Sequence, residues 1–575
     1  MRILGIWDGH DAGAAVVRDG SIEFAINEER LSRRKLDVGF PSLSIKACLS
    51  YLNLKPGDID YVSSSTTDFA KTLTRAFPSL KEQYYMIRRR KVEQDRFSAI
   101  KKKVKYLLTE IPPSRATLLA GNLLIKKRLI AMGFRRDIAL LHFDHHFCHA
   151  AAAAFCSGFN RCLVLTLDGI GDGLSGSVSV FEDGRLNRIA VISGRDSFGI
   201  FFEHVTNLLN MRELEDEGKV MALADYAYPI EDDKNPLMDF FRVSGIEVHA
   251  KYGSLDMYEK LKKILWRYPS EQFAFMAQRT LEVKVLELIR NALEVTGCDK
   301  VALSGGVFSN IKVNMLVDEL EEVGGCFIFP HMGDGGLALG AAMAANYKLN
   351  NICKYDFKNV FFGPQFSDTE IVGALTDNGL KYTKYEAIDD LISETAGLIA
   401  GGQIVFWFQG AMEYGPRALG NRSILAAANS EDIKNHLNLR LKMRVWYQPF
   451  CPSILQEDAH HFSETSPGPA YDRFMTRGYR VRHGVTSEIK GVISLSGTCR
   501  PQVVSEGDGI FYKLLVEVKK LLGRGVVLNT SFNLHGDPLV CTPEDAVKTF
   551  IATGNEYMAI GNYMVASTVE KAPGQ

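Results

Sequence analysis

The stretch "RILGIWDGHDAGAAVVRDGSIEFAINEER", residues 2–30, sets three apolar runs around two turns, one polar and glycine-containing, the other an Asp19-Gly20 pair. It reads as a strand, a Gly-bearing loop, a second strand, a two-residue hairpin of the kind Asp-Gly favours, and a third strand. The design recurs in "CLVLTLDGIGDGLSGSVSVFEDGRLNRIAVI", residues 162–192, where Asp168, Gly169, Gly171, Asp172 and Gly173 fill the loop and Asp183-Gly184 the hairpin. A third element, "KVALSGGVFSNIKVNMLVDEL" (300–320), reads as a buried strand, a Gly-Gly turn and an amphipathic helix, and "FIFPHMGDGGLALGAAMAA" (327–345) as a glycine-rich loop opening another helix.

Two hairpin phosphate loops followed by a strand–Gly-Gly–helix cradle, in that order, point to the α/β class. The expectation is an N-terminal actin/sugar-kinase-like ATPase superfold domain over residues 1–355. Residues 71–136 interrupt it with a helical, basic pattern that includes "MIRRRKVEQDRFSAIKKKVKYLL". The plain reading is a solvated helical insertion; the sharper one is an anion-facing lid over the site. Periodicity fades through "NNICKYDFKNVFFGPQFSD" and a new α/β pattern begins, so a boundary is expected near residue 360 and a second domain over 366–575.

A chain of 575 residues is long enough for more than one core. With 67 basic and 68 acidic residues the net charge is -1, which offers no global field for nucleic acid or membrane. Ten cysteines without a CxxC pair argue against a zinc ribbon and a secreted disulfide frame, and no apolar run reaches the ~20 residues of a membrane span. A cytoplasmic protein is expected, and a homodimer is left open.

Four of the 13 histidines crowd into "HFDHHFCHAAAA", residues 142–153. If the alanine run is helical, His145 and His149 lie one turn apart on one face, a metal-ligand spacing. The competing reading is an Ala-rich helix whose histidines cap it or bond in the core. Carboxylates that complete a site appear at Asp168, ending a strand at the second Gly-rich loop, and at Asp334, opening a helix. Each alone reads as a turn or cap aspartate; two imidazoles and two carboxylates together suit Fe(II), Mn(II) or Zn(II).

In the second half, "LKMRVW" places Lys442 and Arg444 two apart, so that a strand would project both to one face. Ser531 and Asn533 in "NTSFN" follow an apolar run. "YGPRALGNRS" adds Arg417, Asn421 and Arg422 on a glycine-rich turn, and Arg500 stands in "GTCRPQVV". Cations with neutral donors describe a site for a phosphate and a carboxylate-like acyl group. Alone, the Lys-x-Arg pair would read as an exposed edge strand.

The order of "DHHFCHAAAAAF", "EDEGKVMALADYA", "LSGGVFSN", "GDGGLALGAA", "YGPRALGNRSILA" and "VVLNTSFNLHGDPLVCTPEDA" resembles the NodU/CmcH family of O-carbamoyltransferases along both halves. In that family the first half is similar to the iron-binding subunit that makes threonylcarbamoyl-adenosine in tRNA, and the second to the YrdC domain. The resemblance implies iron on His145, His149, Asp168 and Asp334. It implies formation of carbamoyl adenylate from carbamoyl phosphate and ATP, with Mg(II), in the YrdC-like domain by Arg417, Lys442, Arg444, Arg500, Ser531 and Asn533. Transfer to a hydroxyl of a small-molecule acceptor would then follow in the first domain. There Lys35, His149, Gly305, Gly306 and Asn310 would meet the adenylate, Asp8 would position the acceptor, and His10 would be the general base. Four positions depart from the family pattern: Gln448 stands where arginine is usual, Val445 replaces an acid, Ala411 replaces an arginine, and "SLSGT" lacks an aspartate. Gln448 bears most directly on carbamoyl phosphate binding. The rival readings are a fused tRNA threonylcarbamoyl-type enzyme, against which the neutral charge argues, and a non-catalytic nucleotide-binding protein. The acceptor is not legible.

Overall fold

The computed structural model describes residues 1–93, 108–464 and 473–566. Residues 94–107, which hold much of the basic stretch of the insertion, lie outside the described residues. The described chain divides into two compact units, one of residues 1–32 and 36–358, the other of residues 33–35 and 359–575.

In the first unit the Arg2–Trp7 (β1), Gly13–Arg18 (β2) and Ser21–Asn27 (β3) strands form an antiparallel meander, and Tyr61–Ser65 (β4) and Ala139–Phe143 (β5) extend it in parallel beyond β1. The sheet order is β3-β2-β1-β4-β5. Arg161–Gly171 (β6), Leu174–Glu182 (β7) and Arg185–Ser193 (β8) repeat the meander. Phe241–Ser244 (β9) and Glu247–Ala250 (β10) make a small hairpin, and Lys300–Ser304 (β11) and Gly325–Ile328 (β12) then join β6 in parallel. The second sheet runs β12-β11-β6-β7-β8, the same local order as the first. Both Asp-Gly hairpins turn as the residues demand: φ is 46° and 85° at Asp19 and Gly20, and 50° and 74° at Asp183 and Gly184.

The interior of this unit lies between the second sheet and the helices around it. Leu163, Leu165, Leu303 and Phe201 pack there with Phe273, Leu281 and Leu288 of the long Ser270–Thr296 helix, which ends at Gly297 in a left-handed cap. The Ala-rich His145–Cys156 helix is capped by Asp144, whose side chain accepts from the Phe147 N–H, and it is buried along nearly its whole length. Small alanines let it sit inside the layers, and that burial carries its histidines inward.

The insertion is helical, at Phe69–Ala76, Pro78–Arg88 and Arg115–Ala131; Arg115, Lys127, Arg128, Arg135 and Arg136 are exposed as a solvated face requires, but the first two helices differ. Lys71, Lys81, Arg88 and Arg89 are buried. Each is drawn in by oxygen acceptors, Lys71 and Lys81 at Asp8, Arg88 at Glu203 and Glu213, and Arg89 at Glu215.

The second unit centres on an eight-stranded sheet of its described residues: Tyr382–Lys384 (β13), Val405–Phe408 (β14), Arg422–Ala427 (β15), Cys451–Leu455 (β16), Gln502–Val504 (β19), Val526–Ser531 (β20), Tyr557–Ile560 (β21) and Tyr563–Ala566 (β22). Its order is β13-β22-β21-β14-β15-β20-β16-β19, and Tyr479–Arg480 (β17) pairs separately with Thr498–Cys499 (β18). Trp407 fills the core with Leu391, Leu425, Leu514 and Val527, and its indole N–H donates to the Gly420 carbonyl at 2.7 Å. The expected strand around Lys442 is absent. A π-helical turn over Leu437–Leu441 ends with the Lys442 N–H on the Leu437 carbonyl, and Met443 at φ 44° reverses the chain before Arg444. Arg422 does not stand on the turn either: it opens β15, fully buried, with its guanidinium on the carbonyls of Gln409, Gly410 and Asn421 and stacked on Phe408.

Candidate functional site

In the first unit His145, His149, Asp168 and Asp334 bring one ligand atom each to within 4.8 Å of the others. His145 Nε2 lies 3.5 Å from Asp168 Oδ2 and 3.4 Å from Asp334 Oδ1; His149 Nε2 lies 3.0 and 3.6 Å from the same oxygens. The one-turn spacing sets the two imidazoles with ring centroids 4.9 Å apart. Asp168 comes from β6 where its register with β7 breaks, and Asp334 from the 3-10 turn ahead of the Leu337–Asn350 helix.

The hydrogen bonds behind the imidazoles fit a cation. Ser304 gives its only hydroxyl proton to the Met332 carbonyl at 3.2 Å, so its oxygen accepts from His149 Nδ1, also at 3.2 Å. That places a proton on Nδ1 and turns Nε2 to the carboxylate oxygens, 3.0 Å from Asp168 Oδ2, where a shared positive ion, a second ring proton or a metal, holds the group together. His145 Nδ1 is backed at 3.0 Å by Thr66 Oγ1. Burial opposes the charge on these groups, yet Asp334 and Asp168 lift His145 well above the usual histidine range. Against burial and the neighbouring Asp334, the two histidines hold Asp168 near 2. Asp334 is likewise held well below the carboxylate range, against its burial, by His10 and His145.

Asp172, which the sequence reading did not single out as a site residue, ties this corner together. Its Oδ1 accepts from the N–H groups of Thr67 and Asp68 at 2.9 and 3.1 Å, and its Oδ2 from the N–H of His145 at 2.9 Å. Burial, then the charges of Asp68 and Asp144, push its carboxyl up to about 6. The signal was present in the repeat, where the second loop carries an acid at each end. Gly171 makes room beside it: a Cβ there would come within 2.3 Å of the His145 ring.

His10 stands at the edge of the cluster, Nε2 3.3 Å from Asp334 Oδ2, with the Tyr85 ring edge-on at 5.3 Å. Asp8 is also buried, and its carboxylate is taken: Lys71 Nζ is 2.9 Å from Oδ1, and Arg75 reaches Oδ2 from Nε at 2.8 Å and Oδ1 from Nη2 at 3.1 Å. Gly305 holds φ 105° against the Leu167 carbonyl, and Gly306 lies close over Asp168. The Asn310 side chain is committed to structure, accepting from the Val313 N–H as a helix cap and exchanging hydrogen bonds with Gln278. Lys35 groups with the second unit, where its charge acts on Lys442.

In the second unit Lys442 Nζ donates to the Asn533 side-chain and main-chain oxygens at 2.7 and 2.9 Å and to the Ser531 carbonyl, while Ser531 Oγ donates to Asn533 Oδ1 at 2.6 Å. Arg444 stacks 4.1 Å over Phe450 and donates to Asn438 Oδ1; Arg500 points Nε and Nη2 at Cys451 Sγ, 3.1 and 2.9 Å away. Burial and Arg444 push Lys442 well below the lysine range, and burial and Arg500 push Arg417 down to about 9. Arg444, held down to about 10 by burial, also feels Arg500. Among the described residues none of these four cations is ion-paired to a carboxylate. Gln448 Oε1 is buried with no hydrogen-bond partner among them. Glu413, absent from the sequence reading, shapes the loop that bears Arg417: its Oε1 accepts from the N–H groups of Leu419, Asn421 and Arg422.

Among the described residues no helix is long and apolar enough to cross a membrane. Family models described as carbamoyltransferase N-terminus and carbamoyltransferase C-terminus match residues 2–343 and 396–567. The chain is 32% identical to an uncharacterized protein of Methanocaldococcus jannaschii over 98% of this chain and 99% of that one. It is 31% identical to nodulation protein NolNO of Sinorhizobium fredii over 97% of this chain and 79% of that one. Of solved structures, full-length HypF in its phosphate- and nucleotide-bound form matches at 13% identity and a TM-score of 0.35, covering 61% of this chain and 56% of that chain, too low a likeness to carry an argument.

Proposed function

We propose, from the premise that the chain belongs to the carbamoyltransferase family and is a transferase, that it activates carbamoyl phosphate with ATP and passes the carbamoyl group to a hydroxyl of a small molecule. The observation that carries this reading is the grouping of four basic side chains, Lys442 buried and Arg417, Arg444 and Arg500 half-buried, none ion-paired to a carboxylate among the described residues. With Arg417 at about 9 and Arg444 at about 10 the guanidiniums stay charged near neutral pH, and a bound anion relieves the repulsion. Carbamoyl phosphate and the ATP polyphosphate are anions of that kind, and the flat, forked donors of arginine suit both. These cations substitute for the one missing at Gln448.

Activation balances with one water. Carbamoyl phosphate is cleaved to carbamate and phosphate, the carbamate oxygen attacks the α-phosphorus of ATP, Mg(II) travelling with the nucleotide, and pyrophosphate leaves. Lys442 and the three arginines hold the anionic oxygens, and Ser531 and Asn533 orient Lys442. Transfer belongs to the first unit, in an architecture we assign to the actin and sugar-kinase superfold on the strength of its two sheets of identical order. His145, His149, Asp168 and Asp334 would hold a divalent transition metal, whose chemistry when bound is Lewis-acid polarisation of the carbamoyl carbonyl. His10 takes the proton of the acceptor hydroxyl, the new C–O bond forms, and AMP departs. Gly305 and Gly306 leave the backbone open to the nucleotide.

The test is simple. Purified protein should release pyrophosphate from ATP only when carbamoyl phosphate is added, and should carry a transition metal at about one per chain. Pyrophosphate release that ignores carbamoyl phosphate would defeat the reading.

A further inference from the structure

The acceptor can be narrowed from the insertion. On the Phe69–Ala76 helix, Lys71 and Arg75 place two positive charges on the single carboxylate of Asp8, and the three side chains are 8%, 4% and 5% exposed. The ammonium of Lys81, on the next helix, donates to the carbonyl of the same Asp8. Lys71 Nζ also lies 3.6 Å over the Trp7 ring, and Arg75 Nη1 is buried with no hydrogen-bond partner among the described residues. Asp8 is two residues from His10, and Trp7 donates from its indole N–H to the His10 carbonyl at 2.8 Å, so these cations border the proposed base. A divalent ion held by Asp168 and Asp334 would match their charges, and the Asp8 corner carries more basic groups than acidic ones.

We propose that the hydroxyl to be carbamoylated belongs to an anionic small molecule, one bearing phosphate or carboxylate near that hydroxyl, and that Lys71 and Arg75 are the residues that select it. The inference rests on the transferase reading above and sharpens its acceptor. An acceptor that presents an ammonium group to Asp8 would have to displace a buried cation already held there and would meet like charge behind it. An anionic group instead finds two cations shared with one carboxylate, including an unused guanidinium N–H, and lowers the cost of burying them.

Two arms test this. In the first, metal-loaded protein carrying Lys442→Ala, which weakens the second unit's anion site, is titrated calorimetrically with inorganic phosphate, AMP and glucosamine. Phosphate should bind, glucosamine should not, and Lys71→Met or Arg75→Met should weaken phosphate by about tenfold or more with metal content unchanged. Metal content serves as the folding control, with Lys71→Gln as the milder substitution. Phosphate binding undiminished in both variants overturns the proposal. So does dependence on Lys71 for AMP alone, which would give the corner to the leaving nucleotide. In the second arm, labelled carbamoyl phosphate and ATP are incubated with a metabolite extract split by ion exchange into anionic, neutral and cationic pools. Label should appear in a compound of the anionic pool; label from either other pool overturns the proposal. Loss of carbamoyl-dependent pyrophosphate release would fail the transferase reading instead, and the phosphate arm still decides the role of Lys71 and Arg75.

Discussion

At the scale of single residues the first site is a set of orientations imposed from behind. Ser304 and Thr66 fix the imidazoles, Asp172 fixes the start of the helix that carries them, and Gly171 clears the space for His145. Gly171→Ala should therefore disturb the centre without replacing a candidate ligand, because its Cβ would fall 2.3 Å from the His145 ring. Metal affinity should drop about 10–100-fold, the range seen when the support of a ligand is lost, and titration with Fe(II) or Zn(II) of the stripped protein reads it; wild-type affinity would show that His145 is not a ligand. His10→Asn should leave adenylate formation intact and slow transfer by about 10²–10⁴, with adenylate and product quantified by mass after quenching. Transfer at the normal rate removes His10 from the mechanism. The four metal candidates were legible because a His-x-x-x-His spacing in an alanine run has few meanings, and acids at loop mouths complete it. The hold on Asp8 was not: Lys71 and Arg75 are some sixty residues away in a basic stretch, and charge alone does not say whether such a stretch faces water or a buried carboxylate.

At the scale of elements, the two Asp-Gly hairpins and the Gly-Gly strand-to-helix turn were readable because each rests on local backbone chemistry, positive φ or absent Cβ. "LKMRVW" misled for the opposite reason. Alternating apolar and basic residues imitate a strand, but Asn438 donates to the main-chain carbonyls of Trp446 and Gln448 and closes the segment on itself as a π-turn and reversal. Lys442 still reaches Ser531 and Asn533, by a tertiary route that periodicity does not encode. That environment has a consequence for pH. Burial and the charges of Arg444 and Lys35 hold Lys442 well below the lysine range. The ammonium is the anion-binding form, so it is present at low pH and lost as pH rises through the depressed value. Carbamoyl-dependent pyrophosphate release, followed as kcat/KM for carbamoyl phosphate, should thus show an alkaline limb well under the ordinary lysine pKa of about 10.4. Lys442→Arg should push that limb upward, since arginine holds its proton; a limb unmoved by the substitution would assign it to another group.

At the scale of the molecule, two sheets of one strand order in the first unit and an eight-stranded sheet in the second give two chemically different sites, one built of imidazole and carboxylate, the other of cations and amide oxygens. Membership of a transferase family sets aside the non-catalytic nucleotide-binding alternative. The central claim is a division of labour between the sites, and one crossed measurement tests it: Lys442→Ala and His145→Ala are each assayed for carbamoyl-dependent pyrophosphate release and for transfer from carbamoyl adenylate supplied directly, with an acceptor found by the labelling experiment. The account predicts that Lys442→Ala loses the first activity and keeps the second, while His145→Ala keeps the first and loses the second. Loss of both activities together in either folded variant would contradict it.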